Sequence, residues 1–213
     1  MSDGRRTIRA ILLDADGVIQ HATDDLDTRV EATLGFRPEP FEDFIRDVFT
    51  AERPSLTGAQ DVVEALEPVL ERWGAPGKAA ELVRGWWCSI DVDARILSLV
   101  AELRAAGHLC ALATNQQEHR AAHMSRVLGY DGCFDHSFYS CRVGHAKPDA
   151  RYFEVIAETL QLPPQQLLFL DDHERNVEGA QGVGLHAERF VHGRRPDAVD
   201  DLRSLLQRFD IAI

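Results

Sequence analysis

The chain has 213 residues, of which 45% are hydrophobic, which is enough for one α/β domain with a modest insertion. Its formal net charge of −12 argues against nucleic acid or a membrane surface as the main partner, and it means that an anionic substrate would need a local cation. The four cysteines show no C-x-x-C spacing, and no apolar run is long enough for a signal peptide or a membrane helix. These features predict a cytoplasmic protein with reduced thiols and leave its oligomeric state open.

The first predicted element is a short apolar strand that ends in two aspartates. The run Ile11–Leu13 is followed by Asp14, Asp16 and Gly17, and a bounded apolar run of this kind is typical of a buried strand in a parallel sheet. Side chains at positions i and i+2 lie on one side of a strand, and open α/β sheets bind ligands at the carboxyl ends of their strands. We therefore expect both carboxylates at one site, either as nucleophile and acid/base or as ligands of a divalent cation.

The next segment, residues 19–90, is predicted to be a small helical unit. From about residue 21 to residue 89 the apolar residues follow a helical period, and no strand is expected there. The predicted helices are Asp25–Leu34, Pro40–Arg53, Gly58–Trp73 and Ala79–Cys88. Because Trp86 and Trp87 are adjacent, we expect them not to face the same side of a helix; one would lie in the core of this unit, and the other is a candidate substrate contact.

From residue 91 onward, predicted helices and strands alternate. The predicted strands are His108–Ala113, Phe134–Tyr139, Gln166–Leu170 and Leu185–Phe190. The predicted helices are Ala94–Ala106, Glu118–Leu128, Asp149–Leu160, Glu174–Gln181 and Pro196–Phe209. This alternation predicts a parallel sheet with helices on both faces, formed by residues 1–18 and 91–213.

Polar residues follow two more of the predicted strands. Thr114 and Asn115 follow one strand, Asp171 and Asp172 end a later one, and Lys147 opens the helix between them. Since the carboxyl ends of parallel strands meet at one edge of a sheet, all of them converge with the two aspartates of the first strand. Four carboxylates in one place require a cation, and Mg²⁺ prefers such oxygen ligands.

These segments resemble the four motifs of the haloacid dehalogenase (HAD) superfamily of phosphohydrolases, in order and spacing, from residue 8 to about residue 190. The motifs are Asp14–Val18, Thr114, Lys147 and Asp171–Asn176. The helical unit resembles the C1-type cap of that family, and the spacing Asp-Asp-x-x-x-Asn-x-x-Gly-Ala resembles its glucose-1-phosphate phosphatase-like branch. The resemblance implies a Rossmann-like parallel sheet core, the HAD fold, with an inserted C1 cap. It also implies a Mg²⁺-dependent phosphatase for a small phosphorylated metabolite such as a sugar phosphate.

The resemblance also implies a role for each motif residue. Asp14 would be the nucleophile that forms an aspartyl-phosphate, and Asp16 would be the general acid and then the general base. Thr114 and Lys147 complete the catalytic set, and together with Asn115 they would bind the phosphate. A compact ammonium suits a tight site better than a planar guanidinium does, and the chain has only two lysines among its 23 basic residues.

The implied metal ligands are Asp14, the backbone carbonyl of Asp16, and Asp171 or Asp172. Three alternatives stay open. A phosphosugar mutase keeps both acids of the first motif. A haloacid dehalogenase shares the core, but its position two after the nucleophile is not normally Asp. A non-catalytic phosphate-binding module would belong to another functional class.

Two further patterns are expected to be structural. His119 and His123 have a zinc-like i, i+4 spacing without a third ligand, and we expect them on a solvated helix face. Gly179, Gly182 and Gly184 follow a helix rather than a strand, so we expect them to cap that helix rather than to bind phosphate.

Overall fold

The structure, a computed structural model, describes residues 8–23 and 25–211. The strands within these residues are β1 (Ala10–Leu13), β2 (Gln20–Ala22), β3 (Ile90–Val92), β4 (Leu109–Thr114), β5 (His136–Tyr139), β6 (Leu167–Asp171) and β7 (His186–Arg189). Five of them form a parallel sheet in the order β5–β4–β1–β6–β7. The first strand is therefore the centre of the sheet, and its four residues are all buried.

Helices cover both faces of this sheet. In chain order the α-helices of the described residues are α1 (Leu26–Leu34), α2 (Phe41–Glu52), α3 (Val62–Arg72), α4 (Ala79–Trp87), α5 (Ala94–Ala105), α6 (Glu118–Arg126), α7 (Tyr130–Cys133), α8 (Ser140–Val143), α9 (Ala150–Leu160), α10 (Glu174–Gly182) and α11 (Ala198–Gln207). Alternate residues of β1 pack into two separate apolar clusters: Ile11 and Leu13 into one, Ala10 and Leu12 into the other. The predicted Rossmann-like α/β core is confirmed.

The predicted helical insertion is also present. Helices α1 to α4 lie between β2 and β3 and share an apolar cluster of their own, in which Phe44, Leu66 and Leu70 are fully buried. Asp24 and residues 1–7, including the start of the chain where no signal peptide is expected, lie outside the described residues. None of the described helices combines the length and the apolarity that a membrane crossing requires.

The expectation that residues 21–89 contain no strand is wrong at their first positions. His21 and Ala22 belong to β2, which pairs antiparallel with β3 at the other end of the helical insertion. Each of these strands has only three residues, too few to show a two-residue period, and the partners are about 70 residues apart in the chain. The pair joins the two connections between the core and the helical insertion.

Candidate active site

A buried lysine lies at the centre of the site. The Nζ atom of Lys147 lies 2.9 Å from Asp14 Oδ1, 2.7 Å from Asp171 Oδ2 and 2.8 Å from the carbonyl oxygen of Ala113. An ammonium group has three donors, and each of them has an acceptor here. The side chain of Lys147 is only 1% exposed. We call Asp14, Lys147 and Asp171 the sheet-edge cluster.

The sheet places the two acids of this cluster next to each other. Leu13 and Leu170 are partners in the register of β1 and β6, so the residues that follow them, Asp14 and Asp171, reach the same edge. The backbone N–H of Asp14 continues the pairing with a 2.9 Å hydrogen bond to the carbonyl of Leu170. This local geometry follows directly from two apolar strands that each end in an aspartate.

Two amide side chains hold the cluster in place. Asn115 donates from Nδ2 to the carbonyl of Lys147 and accepts from its backbone N–H, both at 2.9 Å. Asn176 donates from Nδ2 to both oxygens of Asp171, at 3.0 and 3.1 Å. In this structure the side chain of Asn115 therefore positions Lys147, and its predicted contact with a substrate stays a prediction.

The cluster and its neighbour Asp172 carry an excess of negative charge. Burial raises the pKa of Asp14 to about 7; Asp171 and Asp16 act in the same direction, and Lys147 opposes them. Burial also raises the pKa of Asp172. The pKa of Lys147 is raised, because the two carboxylates outweigh the effect of its burial. One ammonium does not neutralise three carboxylates, and a further cation would stabilise all of them.

The geometry fits a divalent cation at this place. Asp14, Asp171 and Asp172 each offer an oxygen, and these atoms lie within 4.8 Å of one another. Oδ1 of Asp172 is buried without a hydrogen-bond partner, so this oxygen is suited to binding a metal ion. Gly17 makes the arrangement possible: its φ is +74°, and a Cβ there would lie 2.3 Å from Asp172 Oδ2. An all-oxygen, mainly carboxylate set is what Mg²⁺ prefers, and the predicted contribution of the Asp16 carbonyl stays a prediction.

The second acid of the first motif has different partners. Two nitrogens of the Arg120 guanidinium donate to the two oxygens of Asp16, each at 2.7 Å. Gln20 and Gln116 add donors at 3.0 and 2.9 Å. Burial would raise the pKa of Asp16, but Arg120 and the two amides lower it below its ordinary value. In this conformation Arg120 favours the ionised form of Asp16, which has to separate from Arg120 and take up a proton before it can donate one.

Arg120 is a functional candidate that the sequence did not reveal as such. It lies on α6, four residues after Gln116, and the two side chains are joined by a 3.1 Å hydrogen bond. Gln116 in turn donates to Thr114 Oγ1 at 3.0 Å, so that the second motif is linked to Asp16. The i, i+4 spacing of Gln116 and Arg120, directly after the Thr114-Asn115 strand end, is the signal that could have found it.

A carboxyl group of the helical insertion lies beside this pair. Glu52, at the end of α2, is 6% exposed. Burial raises its pKa to about 7, while Arg120 and a hydrogen bond from Trp87 oppose the shift. We call Asp16, Arg120, Glu52 and Trp87 the cap-side network. It connects the core to the helical insertion through charged groups.

A cleft of about 400 Å³ lies between the core and the helical insertion. Its walls include Asp16 and Asp172 from the core and Phe49, Trp86 and Trp87 from the insertion. The expectation that the two tryptophans do not face the same side is wrong. The indoles stack with ring centres 4.6 Å apart at 11°, because α4 ends at Trp87 and both rings turn toward the cleft. Both are also more than 90% buried and belong to the core of the insertion.

The patterns that were expected to be structural have structural roles here. His119 lies 2.8 Å from Asp61 on the surface, and neither it nor His123 belongs to a group of three candidate metal ligands among the described residues. The expectation that the three glycines cap α10 is wrong for Gly179, which lies inside this helix. A Cβ at Gly179 would lie 2.5 Å from the carbonyl oxygen of Pro148. This glycine therefore lets α10 pack against the loop that carries Lys147.

The comparison with known proteins agrees with this geometry. The sequence model of the haloacid dehalogenase-like hydrolases matches residues 8–184, and the chain belongs to this family of hydrolytic enzymes. It is 28% identical, over 84% of its length and 88% of the relative's, to the sesquiterpene phosphatase astK of Aspergillus oryzae. It is 27% identical, over 48% of its length and 46% of the relative's, to a phosphorylated carbohydrates phosphatase of Thermotoga maritima.

A solved structure supports the same fold. A HAD family enzyme of Bacteroides thetaiotaomicron, in complex with magnesium and inorganic phosphate, superposes with a TM-score of 0.71 at 18% identity. The match covers 85% of this chain and 93% of the other. Membership of the glucose-1-phosphate phosphatase-like branch stays a prediction.

Proposed function

We propose that the protein is a Mg²⁺-dependent phosphatase that hydrolyses a small phosphate monoester through an aspartyl-phosphate on Asp14. The observation that carries the proposal is the sheet-edge cluster, in which a buried lysine holds the predicted nucleophile. An oxygen of Asp14 lies within 4.8 Å of one of Asp172, and Asp172 lines the cleft. The names of two phosphatase relatives, and the magnesium and phosphate of the similar structure, support the same reaction.

The residues of the site divide the reaction between them. A carboxylate oxygen of Asp14 attacks phosphorus, and the bond from phosphorus to the leaving oxygen breaks. Asp16, once it has separated from Arg120 and taken up a proton from solvent, gives that proton to the leaving oxygen and later takes one from the water that hydrolyses the aspartyl-phosphate. Lys147 offsets the charge that develops on the phosphoryl oxygens, and Thr114 and Asn115 bind them.

The metal would bind at the predicted carboxylates. Asp14, the backbone carbonyl of Asp16, and Asp171 or Asp172 would hold Mg²⁺. When bound, it supplies positive charge to the phosphoryl oxygens. The carboxylates of Asp14, Asp171 and Asp172 lie near enough to one another to share one ion.

We further propose that α1 to α4 act as a cap over the site. The cap would comprise residues 19–90, and the core residues 1–18 and 91–213. The partner would be a small phosphorylated metabolite in the cleft, rather than a nucleic acid or a membrane. All four cysteines are free, in keeping with the predicted cytoplasmic location.

Phosphate release from a panel of phosphorylated metabolites tests the proposal, with the wild type compared with Asp14→Asn. The amide is nearly isosteric but cannot form the acyl phosphate, so we expect turnover to fall by at least about 10³-fold. Asp27→Asn, in a surface Asp-x-Asp pair, is the matched control.

Several outcomes would contradict the proposal. Turnover of Asp14→Asn within about tenfold of the wild type would rule out a covalent nucleophile. Halide release from a haloacid, phosphate transfer within a sugar, or no reaction of the wild type with any ester would each favour one of the alternatives.

A further inference from the structure

Two histidines and an aspartate form a chain of hydrogen bonds that ends at the cleft. Nε2 of His21 lies 2.8 Å from Nδ1 of His192, and Nε2 of His192 lies 2.7 Å from Asp93 Oδ2. His192 is 3% exposed, whereas His21 lines the cleft together with Asp16 and Trp86. The reaction proposed above uses none of the three residues of this chain.

A backbone hydrogen bond determines which ring nitrogens of His21 and His192 carry a proton. The N–H of Arg194 donates to Nδ1 of His192 at 3.1 Å, so this nitrogen is an acceptor. His192 therefore carries its proton on Nε2 and donates it to Asp93. His21 must then donate from its own Nε2, which leaves a lone pair on its Nδ1 in the neutral ring. Among the described residues, none makes a hydrogen bond to that nitrogen.

The charged groups around His21 favour the neutral ring. Burial, His192 and Arg194 lower the pKa of His21, and Asp16 and Asp91 oppose them. Asp91 is the partner of His21 in the register of β2 and β3.

Backbone hydrogen bonds fix the position of His192 and Asp93 relative to the proposed active site. The N–H of His192 donates to the carbonyl of Gly17 at 2.8 Å, and the N–H of Asp93 donates to the carbonyl of Ile19 at 3.0 Å. Gly17 belongs to the turn that follows Asp16. The unpaired nitrogen of His21 therefore has a defined position relative to the groups that would cleave the ester.

We propose that His21 is a specificity-determining residue whose Nδ1 accepts a hydrogen bond from a hydroxyl of the leaving group. The preferred ester is then the monophosphate of a sugar or another polyol rather than of a hydrocarbon alcohol. His192 and Asp93 are positioning residues that set the tautomer of His21. The inference rests on the phosphatase activity proposed for the same cleft.

The aromatic side chains of the cleft are compatible with a polyol leaving group, but they do not distinguish it from a hydrocarbon one. Indole rings pack against the C–H face of a sugar as well as against a hydrocarbon. An unpaired acceptor is different, because an apolar leaving group would bury it without a partner.

Two esters that differ in their hydroxyl groups test the proposal. We expect the wild type to hydrolyse glycerol 1-phosphate with a kcat/KM about tenfold higher than that for n-propyl phosphate. In His21→Phe the preference should shrink to less than about threefold, mainly through the loss on glycerol 1-phosphate. His136→Phe is the control, because His136 lies at the amino end of β5, whereas the site lies at the carboxyl ends of the strands. This variant should keep the wild-type preference.

A spectroscopic measurement separates this inference from the activity itself. In the Asp14→Asn variant, which retains the ester, ¹⁵N NMR at pH 7.5 should show His21 protonated on Nε2 only. Glycerol 1-phosphate should shift the Nδ1 resonance, and n-propyl phosphate should leave it in place. In Asp93→Asn, which weakens the acceptor for His192, the signals of His21 should move toward a mixture of tautomers.

Three results would overturn the inference. They are a proton on Nδ1 of His21 in the free protein, an equal effect of both esters on its resonance, and an equal loss on both esters in His21→Phe. The last result would not contradict the proposed phosphatase function, and would show that His21 only supports the pairing of β2 with β3. A wild type that hydrolyses no ester would contradict the proposed function, while the NMR titration would still decide whether His21 recognises a hydroxyl.

Discussion

The sheet-edge cluster and the cap-side network are both built on aspartates of the first motif, yet they differ in how firmly those aspartates are held. Asp14 is 7% exposed, and Lys147, which binds it, is tied to the sheet by a backbone carbonyl and by Asp171. Asp16 is 42% exposed and is held by Arg120, which reaches it from a helix. Asp14, which would form the covalent bond, is therefore held in a fixed position. Asp16, which would transfer protons, is more exposed and can separate from Arg120.

The physical cause is the distribution of charge between the two regions. In the sheet-edge cluster the carboxylates outnumber the ammonium, so the region favours an added cation. In the cap-side network Arg120 faces Asp16 and Glu52, and the pKa of Asp16 is lowered while that of Glu52 is raised to about 7. Burial is the largest cause of the raised pKa of Glu52, and Arg120 offsets it only in part.

The largest effect is expected from removal of the metal, which tests the sheet-edge cluster. Activity should vanish with excess EDTA and return with Mg²⁺ but not with Ca²⁺. Ca²⁺ takes more ligands at longer distances and would draw further oxygens into the site. Phosphate release after dialysis and re-addition of each ion measures this.

A variant of Asp172 tests the same metal site by removing one of the proposed ligands. Asp172→Asn should raise the Mg²⁺ concentration for half-maximal activity by about 10- to 100-fold, since its buried Oδ1 has no hydrogen-bond partner and is free to bind the ion. Full activity of the wild type in excess chelator would exclude a metal at this site.

The next effect concerns Asp16 and tests whether it is a proton carrier. Asp16→Asn should leave Asp14 able to attack phosphorus. The leaving group would then receive no proton and the water would lose its base, so we expect turnover to fall by about 10²–10⁴-fold. The loss in the first step should be larger for a sugar phosphate than for p-nitrophenyl phosphate, whose leaving group needs no proton. Rapid-quench experiments should then show a burst of nitrophenol, stalled turnover and phosphate on the protein.

A wild-type steady-state rate of Asp16→Asn with p-nitrophenyl phosphate would contradict this assignment. Asp16 would then be a structural partner of Arg120, and the difference between the two regions would not concern proton transfer.

A smaller effect, on stability, is expected when the lysine is removed. Lys147→Met leaves Asp14 and Asp171 buried without their common cation, and we expect the free energy of unfolding to fall by about 3–5 kcal/mol. Lys78 provides the control, because it is the other lysine of the chain and forms only a surface ion pair with Glu81. Lys78→Met should change stability by less than about 1 kcal/mol in urea unfolding. Equal losses in both variants would mean that the cluster does not contribute to stability.

The smallest effect concerns Glu52 and depends on pH. Its pKa is raised from 4.5 to about 7, so the folded protein favours the protonated form. The wild type should therefore lose stability through this group as the pH rises from about 4.5 to 7, by up to about 3 kcal/mol. Glu52→Gln should gain stability over the wild type at pH 8 and show little gain at pH 4.5.

Urea unfolding at both pH values measures this difference, with the exposed Glu31→Gln of α1 as control. A gain that is the same at both pH values would show that the pKa of Glu52 is the same in the folded and the unfolded protein, and would contradict a raised pKa for this group.

The parts of the site that the sequence predicted are those that follow from strand ends. Asp14, Thr114 and Asp171 each stand at the carboxyl end of an apolar strand, and parallel pairing brings such ends together whatever the helices do. The long predicted strands and helices are found close to the predicted bounds, since each contains several periods of its hydrophobic pattern.

The parts that were missed depend on contacts between distant segments. Asp16 and Arg120 are separated by 104 positions, and His21 and His192 by 171. The three-residue strands β2 and β3 pair only because the helical insertion brings its two ends together. The spacing of Gln116 and Arg120 could have pointed to Arg120, but no local pattern in the chain shows which distant group each of these residues contacts.

The amino-acid sequence by itself thus determined the α/β core, the helical insertion and the convergence of Asp14, Lys147 and Asp171. Hydrophobic periodicity and the geometry of a parallel sheet act over short stretches, and they are sufficient for these features. Only the tertiary structure decided that Arg120 holds Asp16, that Trp86 and Trp87 stack in the cleft, and that Nδ1 of His21 has no hydrogen-bond partner among the described residues. Those properties depend on which charged and aromatic groups the packed helices bring within a few ångströms of one another, because ion pairs and hydrogen bonds form only at that range.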